Sequence, residues 1–457
     1  MNKYLCIISI LFLTLEFYQA KGQSFELMRF DESYKYLQDS MRSAYNMLKF
    51  LPLTKNRQVY ASFGGELRYE YVRFKNEDWG RLGLGENNFF LQRYNFHMDL
   101  ELGTRVRLFV QLRSALQDGR KNGPRPIDED SLNIQNLFLD VVPWRNNKGF
   151  LALRIGRQEI QYGSGRLISV RDGPNLRLYF TGPKLIFKLS RLSIDAFALM
   201  ADTVKPGIFD NKPTRQLNLW GFYGQWITPR FSNFELYYLG SRKGRSTFEE
   251  GTAAEIRHTI GGRLWKAGNG INYNIDAAYQ FGHFGFDKIR SWAGYIDLGY
   301  YFQNLSLKPS INLRSSFARG DKKLNDGHLG SFNPLYPTGG YFGFNPQIGG
   351  VNLIAVHPYL ILTIWRNLGM QADVVFNWRY SLRDGIYRPS GTFNLAGGSS
   401  GKRYIGTGWL LSAFYPLNRF LSVNTGIQYF KTGAFINDII PANKDGVFFN
   451  ARLKYLF

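Results

Sequence analysis

The stretch that decides the fold is VFFNARLKYLF, the last residues of the sequence, 447–457. Apolar or aromatic side chains occupy every second position from Val447 to Phe457, and Arg452 and Lys454 lie between them. An alternation with period two predicts a β-strand with one apolar and one polar face. We interpret this stretch as a strand whose apolar face contacts lipid. An edge strand of a soluble sheet is the alternative.

The terminal aromatic favours the membrane interpretation. An aromatic residue at the end, preceded by apolar residues at alternate positions, resembles the assembly signal of bacterial outer-membrane proteins. Such a sheet has to close into a barrel, because an open edge in lipid leaves backbone N–H and C=O groups without partners. The last strand is therefore expected to pair with the first.

The same alternation recurs in long runs from about residue 58 onward. The sequence predicts an all-β fold, a transmembrane antiparallel up-and-down β-barrel with eighteen strands, and sixteen strands are the alternative. The predicted strands lie near 58–73, 89–103, 105–117, 131–142, 149–161, 176–190, 191–201, 215–229, 231–241, 254–266, 270–283, 287–303, 305–319, 351–365, 369–383, 403–416, 418–431 and 445–457.

The connections between these strands alternate in length. Short turns on one side of the membrane and long loops on the other are typical of outer-membrane barrels. Every long connection follows an odd-numbered strand, so both ends of the barrel sequence are expected on the periplasmic side. The predicted long connections are 119–130, 162–175, 202–214, 242–253, 320–350 and 384–402.

Composition narrows the class of protein. Aromatic residues make up 16% of the 457 residues, which suits strands with interfacial aromatic girdles. The mean hydropathy of −0.27 is too polar for a bundle of membrane helices. The formal net charge of +22 would suit a nucleic-acid binder. The predicted export signal argues against nucleic acid, and a lumen that attracts anions is the better interpretation.

The sequence divides into three parts. Residues 1–22 are interpreted as a signal peptide, and they contain the single cysteine, Cys6. Together with the barrel prediction, this signal predicts that the protein is located in the outer membrane of a Gram-negative cell. Residues 23–57 are predicted to form a short periplasmic N-terminal segment, a helix or cap, with a plug as the alternative. Residues 58–457 are predicted to form the barrel. No cofactor and no metal site is expected.

Several stretches resemble the alginate export family of outer-membrane porins. The strongest is LRIGRQEIQYGSGRLISVRDGPNLRLYFTGPKL, residues 153–185. GGELRYEYV (64–72) and FNPLYPTGGYFG (332–343) add to it. The resemblance implies an eighteen-stranded barrel with an arginine-rich constriction that passes an anionic polysaccharide. A periplasmic partner would deliver the polymer, and outer-membrane lipid would surround the barrel.

The resemblance also implies which residues line the substrate pathway. Some are carried over from the matching motifs, and others lie on the polar, inward faces of predicted strands. For any one of them, an ion pair that braces the barrel wall is the simpler interpretation. The first group is Arg154, Arg157, Glu159, Arg166, Arg171, Arg177, Arg93 and Arg113, and the second is Arg257, Arg314 and Arg379.

Two other functions stay open at this stage. A passive import porin for small anionic nutrients would share the barrel and the charge, and a passive pore has no built-in direction. A hydrolase embedded in the barrel is less favoured, because the five histidines are scattered and no HExxH motif is present. We therefore expect no enzymatic activity and no catalytic residues.

Overall fold

The computed structural model describes residues 25–39, 43–228, 232–344, 346–365 and 367–457. Eighteen long antiparallel strands form one sheet, and β18 pairs with β1 to close it. The eighteen-stranded barrel prediction is confirmed. The strands are β1 Val59–Lys75, β2 Glu86–Leu102, β3 Val106–Asp118, β4 Asp130–Asn146, β5 Gly149–Gln158, β6 Phe180–Leu189, β7 Leu192–Thr203, β8 Lys212–Trp226, β9 Asn233–Phe248, β10 Gly251–Lys266, β11 Gly270–Phe284, β12 Asp287–Tyr301, β13 Ser310–Ala318, β14 Leu353–Thr363, β15 Gly369–Arg379, β16 Tyr404–Pro416, β17 Leu421–Thr432 and β18 Gly446–Leu456.

The connections fall into two groups at opposite ends of the barrel. One end, which we call the short-turn end, carries only short connections and also holds Phe457. The other, the loop end, carries loop A (159–179), loop B (319–352) and loop C (380–403). The predicted long connection at 242–253 is wrong. Phe248 pairs with Gly251, so β9 and β10 continue to a tight turn there.

The remaining elements are short. Helix α1, Ala44–Lys49, and helix α2, Ala434–Ile439, lie at the short-turn end and the loop end respectively. Among the described residues, no helix is long and apolar enough to cross a membrane. Short 3-10 turns span Arg29–Asp31, Lys35–Leu37 and Glu77–Gly80, and two-residue or three-residue strands span Leu51–Pro52, His328–Leu329, Ile386–Tyr387 and Phe393–Leu395.

The N-terminal segment covers a gap in the seam between β1 and β18. Strand β18 pairs with β1 only from Glu66 to Lys75, so residues 59–64 extend beyond it. Leu51–Pro52 pairs with part of this free edge. Covering the edge supplies partners to backbone groups that would otherwise be unpaired. The predicted signal peptide lies outside the described residues, and the division into three parts stays a prediction.

Loops A and B fold into the lumen instead of extending outward. Ile168 of loop A and Tyr336 of loop B form a parallel bridge, so the two loops are joined to each other inside the barrel. Their apolar side chains pack on the inner wall of β6 to β13 and make a small core inside the barrel. Its members include Ile160, Leu167, Ile168, Phe332, Leu335 and Tyr336 of the loops and Phe180, Phe197, Leu219 and Tyr237 of the wall.

Candidate functional site

Loop A is fastened where it leaves the wall. The ring of Tyr162 stacks between Phe197, at 5.4 Å between centroids, and Tyr223, at 4.6 Å. Its hydroxyl donates to a carboxylate oxygen of Asp195 at 2.9 Å. Aromatic stacking of this kind adds to the free energy of burial. The first turn of loop A is therefore held rigidly against β7 and β8.

The far side of loop A is fastened to the opposite wall. Arg68 of β1 donates to the main-chain oxygens of Asp172 and Pro174, both at 2.8 Å. The side-chain amide of Asn175 donates to three more main-chain oxygens. These belong to Gln92, Leu116 and Asp128. Loop A therefore crosses the lumen and is bound to strands on both sides of it.

The tip of loop A carries a carboxylate that contacts two predicted pathway residues. Asp172 lies 2.6 Å from Arg93 and 3.7 Å from Arg177. Arg93 also contacts Glu66 at 2.6 Å. Burial alone would raise the pKa of Asp172, but Arg93 and Arg177 outweigh it and hold that pKa well below its usual range. The Asp172 carboxylate is therefore charged at neutral pH.

Most of the other predicted pathway residues also have carboxylate partners. Arg154 binds Asp140 through two nitrogens, at 2.7 and 2.8 Å. Glu159 binds Arg177 at 2.9 Å. Such paired groups brace the wall and offer no net charge to a passing anion. The further pairs are Arg157 with Asp202, Arg113 with Asp130, Arg257 with Glu255, and Arg314 with Asp297.

Arg379 is satisfied without a carboxylate. Its guanidinium is buried and donates to main-chain oxygens of loop C, including that of Ser400 at 2.7 Å and that of Gly397 at 2.8 Å. It also lies over the ring of Phe435, 4.1 Å from the centroid. This arginine therefore shapes loop C, and its contacts leave little of it open to a solute.

Arg166 is different, because it has no carboxylate partner among the described residues. It is 4% exposed and lies between the rings of Tyr295 and Tyr341, 4.4 and 4.0 Å from their centroids. Its one hydrogen bond, at 3.4 Å, goes to the hydroxyl of Ser316. Its Nε and Nη2 atoms have no partner in the described part of the chain. Burial lowers the pKa of Arg166.

Arg171 also lacks a carboxylate within the described ranges. Its Nε donates to the main-chain oxygen of Pro337 at 3.0 Å, and the residue is half-buried. Its backbone has φ of +56°, a region that favours glycine and is costly for arginine. Burial lowers the pKa of Arg171 to about 10, so the group keeps its charge at neutral pH.

The N-terminal segment contacts the same region from the short-turn end. Phe30 packs edge-on against Phe109 and Phe138, whose rings stack on each other, and the guanidinium of Arg154 lies 4.6 Å from the centroid of Phe30. Arg177 donates to the main-chain oxygen of Leu27 at 2.9 Å. Residues 27–31 therefore lie inside the lumen and narrow it.

Several residues that build this site were not predicted. The ring of Tyr341 contacts two arginines, since the guanidinium groups of Arg166 and Arg314 lie 4.0 and 4.9 Å from its centroid. The match at 332–343 to the family motif was the available signal for it. Asn175 lies within the family motif at 153–185, whereas Asp384 of loop C lies outside the matched motifs and had no such signal.

The comparisons with known proteins agree with this geometry. A sequence profile for alginate export matches residues 59–450. The chain belongs to the alginate export family. No curated protein sequence matches this family member.

Solved structures share the fold of this alginate export family member at low sequence identity. OccAB1 of Acinetobacter baumannii has a TM-score of 0.60 and 12% identity, over 90% of this chain and 99% of that one. OpdK of Pseudomonas aeruginosa has a TM-score of 0.57 and 12% identity, over 87% and 98%. OccK2 (OpdF) of Pseudomonas aeruginosa, solved in complex with glucuronate, has a TM-score of 0.55 and 10% identity, over 87% and 98%.

Fold and family together make this chain an outer-membrane β-barrel channel. In the described lumen, most arginines are neutralised by fixed carboxylates, and two arginines of loop A are not. A lumen of this kind can offer a solute a few defined positive contacts within a rigid frame.

Proposed function

We propose that this channel carries an anionic polysaccharide of the alginate type across the outer membrane, in the direction of export. The observation that carries the proposal is that Arg171, half-buried on loop A, has no carboxylate partner in the described chain. Arg166, buried on the same loop, adds a second positive charge without a carboxylate partner in the described chain. Carboxylates on a sugar chain are the natural partners for guanidinium groups in such surroundings. The remaining predicted pathway residues would act mainly by holding the inward-folded loops and the barrel wall in place.

Weak and repeated contacts suit a polymer better than one tight site. A chain that moves through a pore has to leave each contact as easily as it enters. Asp172 lies beside Arg171 in the sequence and is charged, so it would weaken the hold on a sugar carboxylate. A channel without enzymatic activity needs only weak, repeated contacts of this kind. A periplasmic partner that delivers the polymer belongs to the same proposal.

Import of small anions is the second candidate. The barrel of OccK2 (OpdF), which shares this fold, was solved with glucuronate, a single carboxylated sugar. A monomer would need the same guanidinium contacts as a residue of a polymer. The two candidates therefore differ in the length of the solute, and the residues of the site do not separate them.

Planar-bilayer recording tests the proposal. We expect the reversal potential in a salt gradient to show anion preference, and alginate oligomers to block current more strongly than glucuronate at equal carboxylate concentration. Cation preference would refute the anion pathway. Equal block by monomer and oligomer would favour the import of small anions.

A matched pair of variants tests the residues. Arg171→Ala is expected to lower both anion preference and block by oligomers. Arg290→Ala is the control, because Arg290 is exposed and lies opposite the exposed Phe281 on the outer face. If both variants behave as the parent does, Arg171 does not belong to the pathway.

A further inference from the structure

The N-terminal segment has an apolar strip on its surface. Met47 is 54% exposed, Leu48 38%, Leu51 40% and Leu53 53%. We call these four side chains the apolar strip. Exposed large apolar side chains that adjoin one another mark an interaction surface. The strip follows α1 and the short strand after it, which lie beside the barrel seam at the short-turn end.

Other side chains of the same segment face the barrel. The ring of Phe50 stacks on Tyr60 at 4.4 Å between centroids and is fully buried. Lys49 is also fully buried, and its Nζ lies 4.6 Å from the centroid of Tyr34. The segment is thus amphipathic. One side fixes it to the inner mouth of the barrel, and the apolar strip is left on the other side.

Strand register shows where the apolar strip points. Leu51 pairs directly with Ala61 of β1, and directly paired residues project on the same face of a sheet. Glu66 and Arg68 point into the lumen, so the period of two places Ala61 on the outer face. Leu51 therefore projects toward the outside of the barrel, and Leu53 follows it on that face.

The height of the strip on the wall matches a membrane boundary. On the outer face of β1, ten residues separate Ala61 from Tyr71. At about 3.3 Å per residue and a tilt of about 40°, that stretch rises roughly 25 Å, the height of the apolar band of outer-membrane barrels. Ala61 lies at one edge of this band. Leu51, its partner, lies at the same level.

The strip is also continuous with the aromatic residues of that edge. Tyr45 of α1 packs edge-on against Phe420, with 5.2 Å between ring centroids. Phe420 contacts Tyr455 of β18 at 6.2 Å, and Tyr455 stacks near Phe457 at 5.9 Å. Aromatic girdles of this kind mark the level of the lipid headgroups.

We propose that residues 43–53 form an interfacial anchor, whose apolar strip inserts into the phospholipid leaflet at the short-turn end. Apolar side chains on a segment parallel to the membrane are stabilised at the boundary between headgroups and acyl chains. The anchor does not depend on what the channel carries. It holds the N-terminal segment in place from the lipid side, while Phe50 and Lys49 hold it from the lumen side.

Depth-dependent fluorescence quenching tests the anchor. In a Cys6→Ser chain, Leu48→Cys or Leu51→Cys carries an environment-sensitive NBD label, and the barrel is folded into phosphatidylcholine vesicles with or without nitroxide-labelled lipid. We expect a blue-shifted emission and a loss of fluorescence to the nitroxide comparable with that of Leu453→Cys on the lipid-facing wall. Lys55→Cys, on an exposed polar residue that follows the strip, is the aqueous control.

Two results would overturn the anchor. One is quenching of the labels by iodide in water and not by the lipid nitroxide. The other is lipid quenching that disappears as the protein-to-lipid ratio rises, since a second copy of the chain would then cover the strip. The unlabelled chain provides an independent readout. Backbone hydrogen exchange over 43–53 is expected to be slower in lipid nanodiscs than in detergent, and equal rates would contradict the proposal.

Discussion

Arg29 donates a hydrogen bond of 2.9 Å to the main-chain oxygen of Phe457, a residue 428 positions away in the chain. It donates another of 2.9 Å to the main-chain oxygen of Gly65. Gly65 and Phe457 also bond to each other through their backbones, at 2.9 and 3.1 Å. One buried cation therefore joins the N-terminal segment to both strands at the point where the barrel closes.

Arg29→Ala is expected to destabilise the barrel. The variant leaves the buried carboxylate of Glu32, 2.6 Å from Arg29, without its ion-pair partner. Loss of one partner of a buried pair costs on the order of 3 kcal/mol. Urea unfolding followed by tryptophan fluorescence measures the change. Arg57→Ala is the control, since Arg57 pairs with the exposed Asp39, and an equal loss in both variants would contradict the role of Arg29.

Arg154→Ala is expected to lower the stability of the barrel, whereas Arg171→Ala is expected to lower its anion preference. Arg154 neutralises Asp140, so its removal leaves a buried charge and lowers the free energy of unfolding by about 3 kcal/mol. Arg171 has no carboxylate partner among the described residues, and alanine keeps the same backbone cost at φ of +56°, so the substitution should leave stability within about 1 kcal/mol of the parent. Unfolding and reversal potential, measured on both variants, separate the roles. A large loss of stability in Arg171→Ala would show that it braces loop A.

Loop C is expected to loosen as the pH rises. Asp384 is fully buried and accepts hydrogen bonds from Ser331 and Tyr387. Burial raises the pKa of Asp384 to about 6, above the value of about 3.9 for an unfolded aspartate. The folded loop therefore binds the proton more tightly. Its stability is highest below about pH 4 and falls through about pH 6, by roughly 3 kcal/mol in all.

Hydrogen exchange over 380–403, corrected for the intrinsic rate, measures this dependence. We expect the protection of loop C to fall between about pH 4 and about pH 6, the window set by the unfolded and folded pKa values of Asp384. Asp384→Asn removes the titrating group and should remove the pH dependence. A dependence that persists in that variant would assign the effect to another group.

Phe30→Ala is expected to increase single-channel conductance. Phe30 is buried edge-on against the stacked rings of Phe109 and Phe138 and holds residues 27–31 against the lumen wall. Truncation of a buried Phe costs about 3 kcal/mol or more of packing, which is enough to release a short segment. Tyr36→Ala, at a 49% exposed position of the same segment, is the control. Unchanged conductance in Phe30→Ala would show that this segment does not limit the current.

The strands could be predicted because each one has to satisfy lipid on one side and water or polar side chains on the other. That requirement makes apolar and polar residues alternate along each strand, as in 270–283 and 369–383. The error at 242–253 has a physical reason. Arg242, Lys243 and Arg245 lie beyond the apolar band, where a paired strand no longer needs an apolar face, so the alternation ends while β9 continues.

The site could be predicted only in part. The family motifs placed the arginines on or near loop A, and the polar faces of the strands identified others. Which of them are neutralised depends on contacts between distant segments, such as that of Asp172 with Arg93. Those contacts exist only after loop A and the N-terminal segment fold inward. No periodic pattern in the sequence predicts that these segments fold into the lumen.

The seam has a consequence for the order of events during biogenesis. The N-terminal segment is made first, yet its full binding surface at Gly65 and Phe457 exists only once β18 has arrived. Docking of this segment through Arg29 therefore depends on completion of the barrel. A chain arrested before its last strand would offer the segment only the Gly65 half of this binding surface.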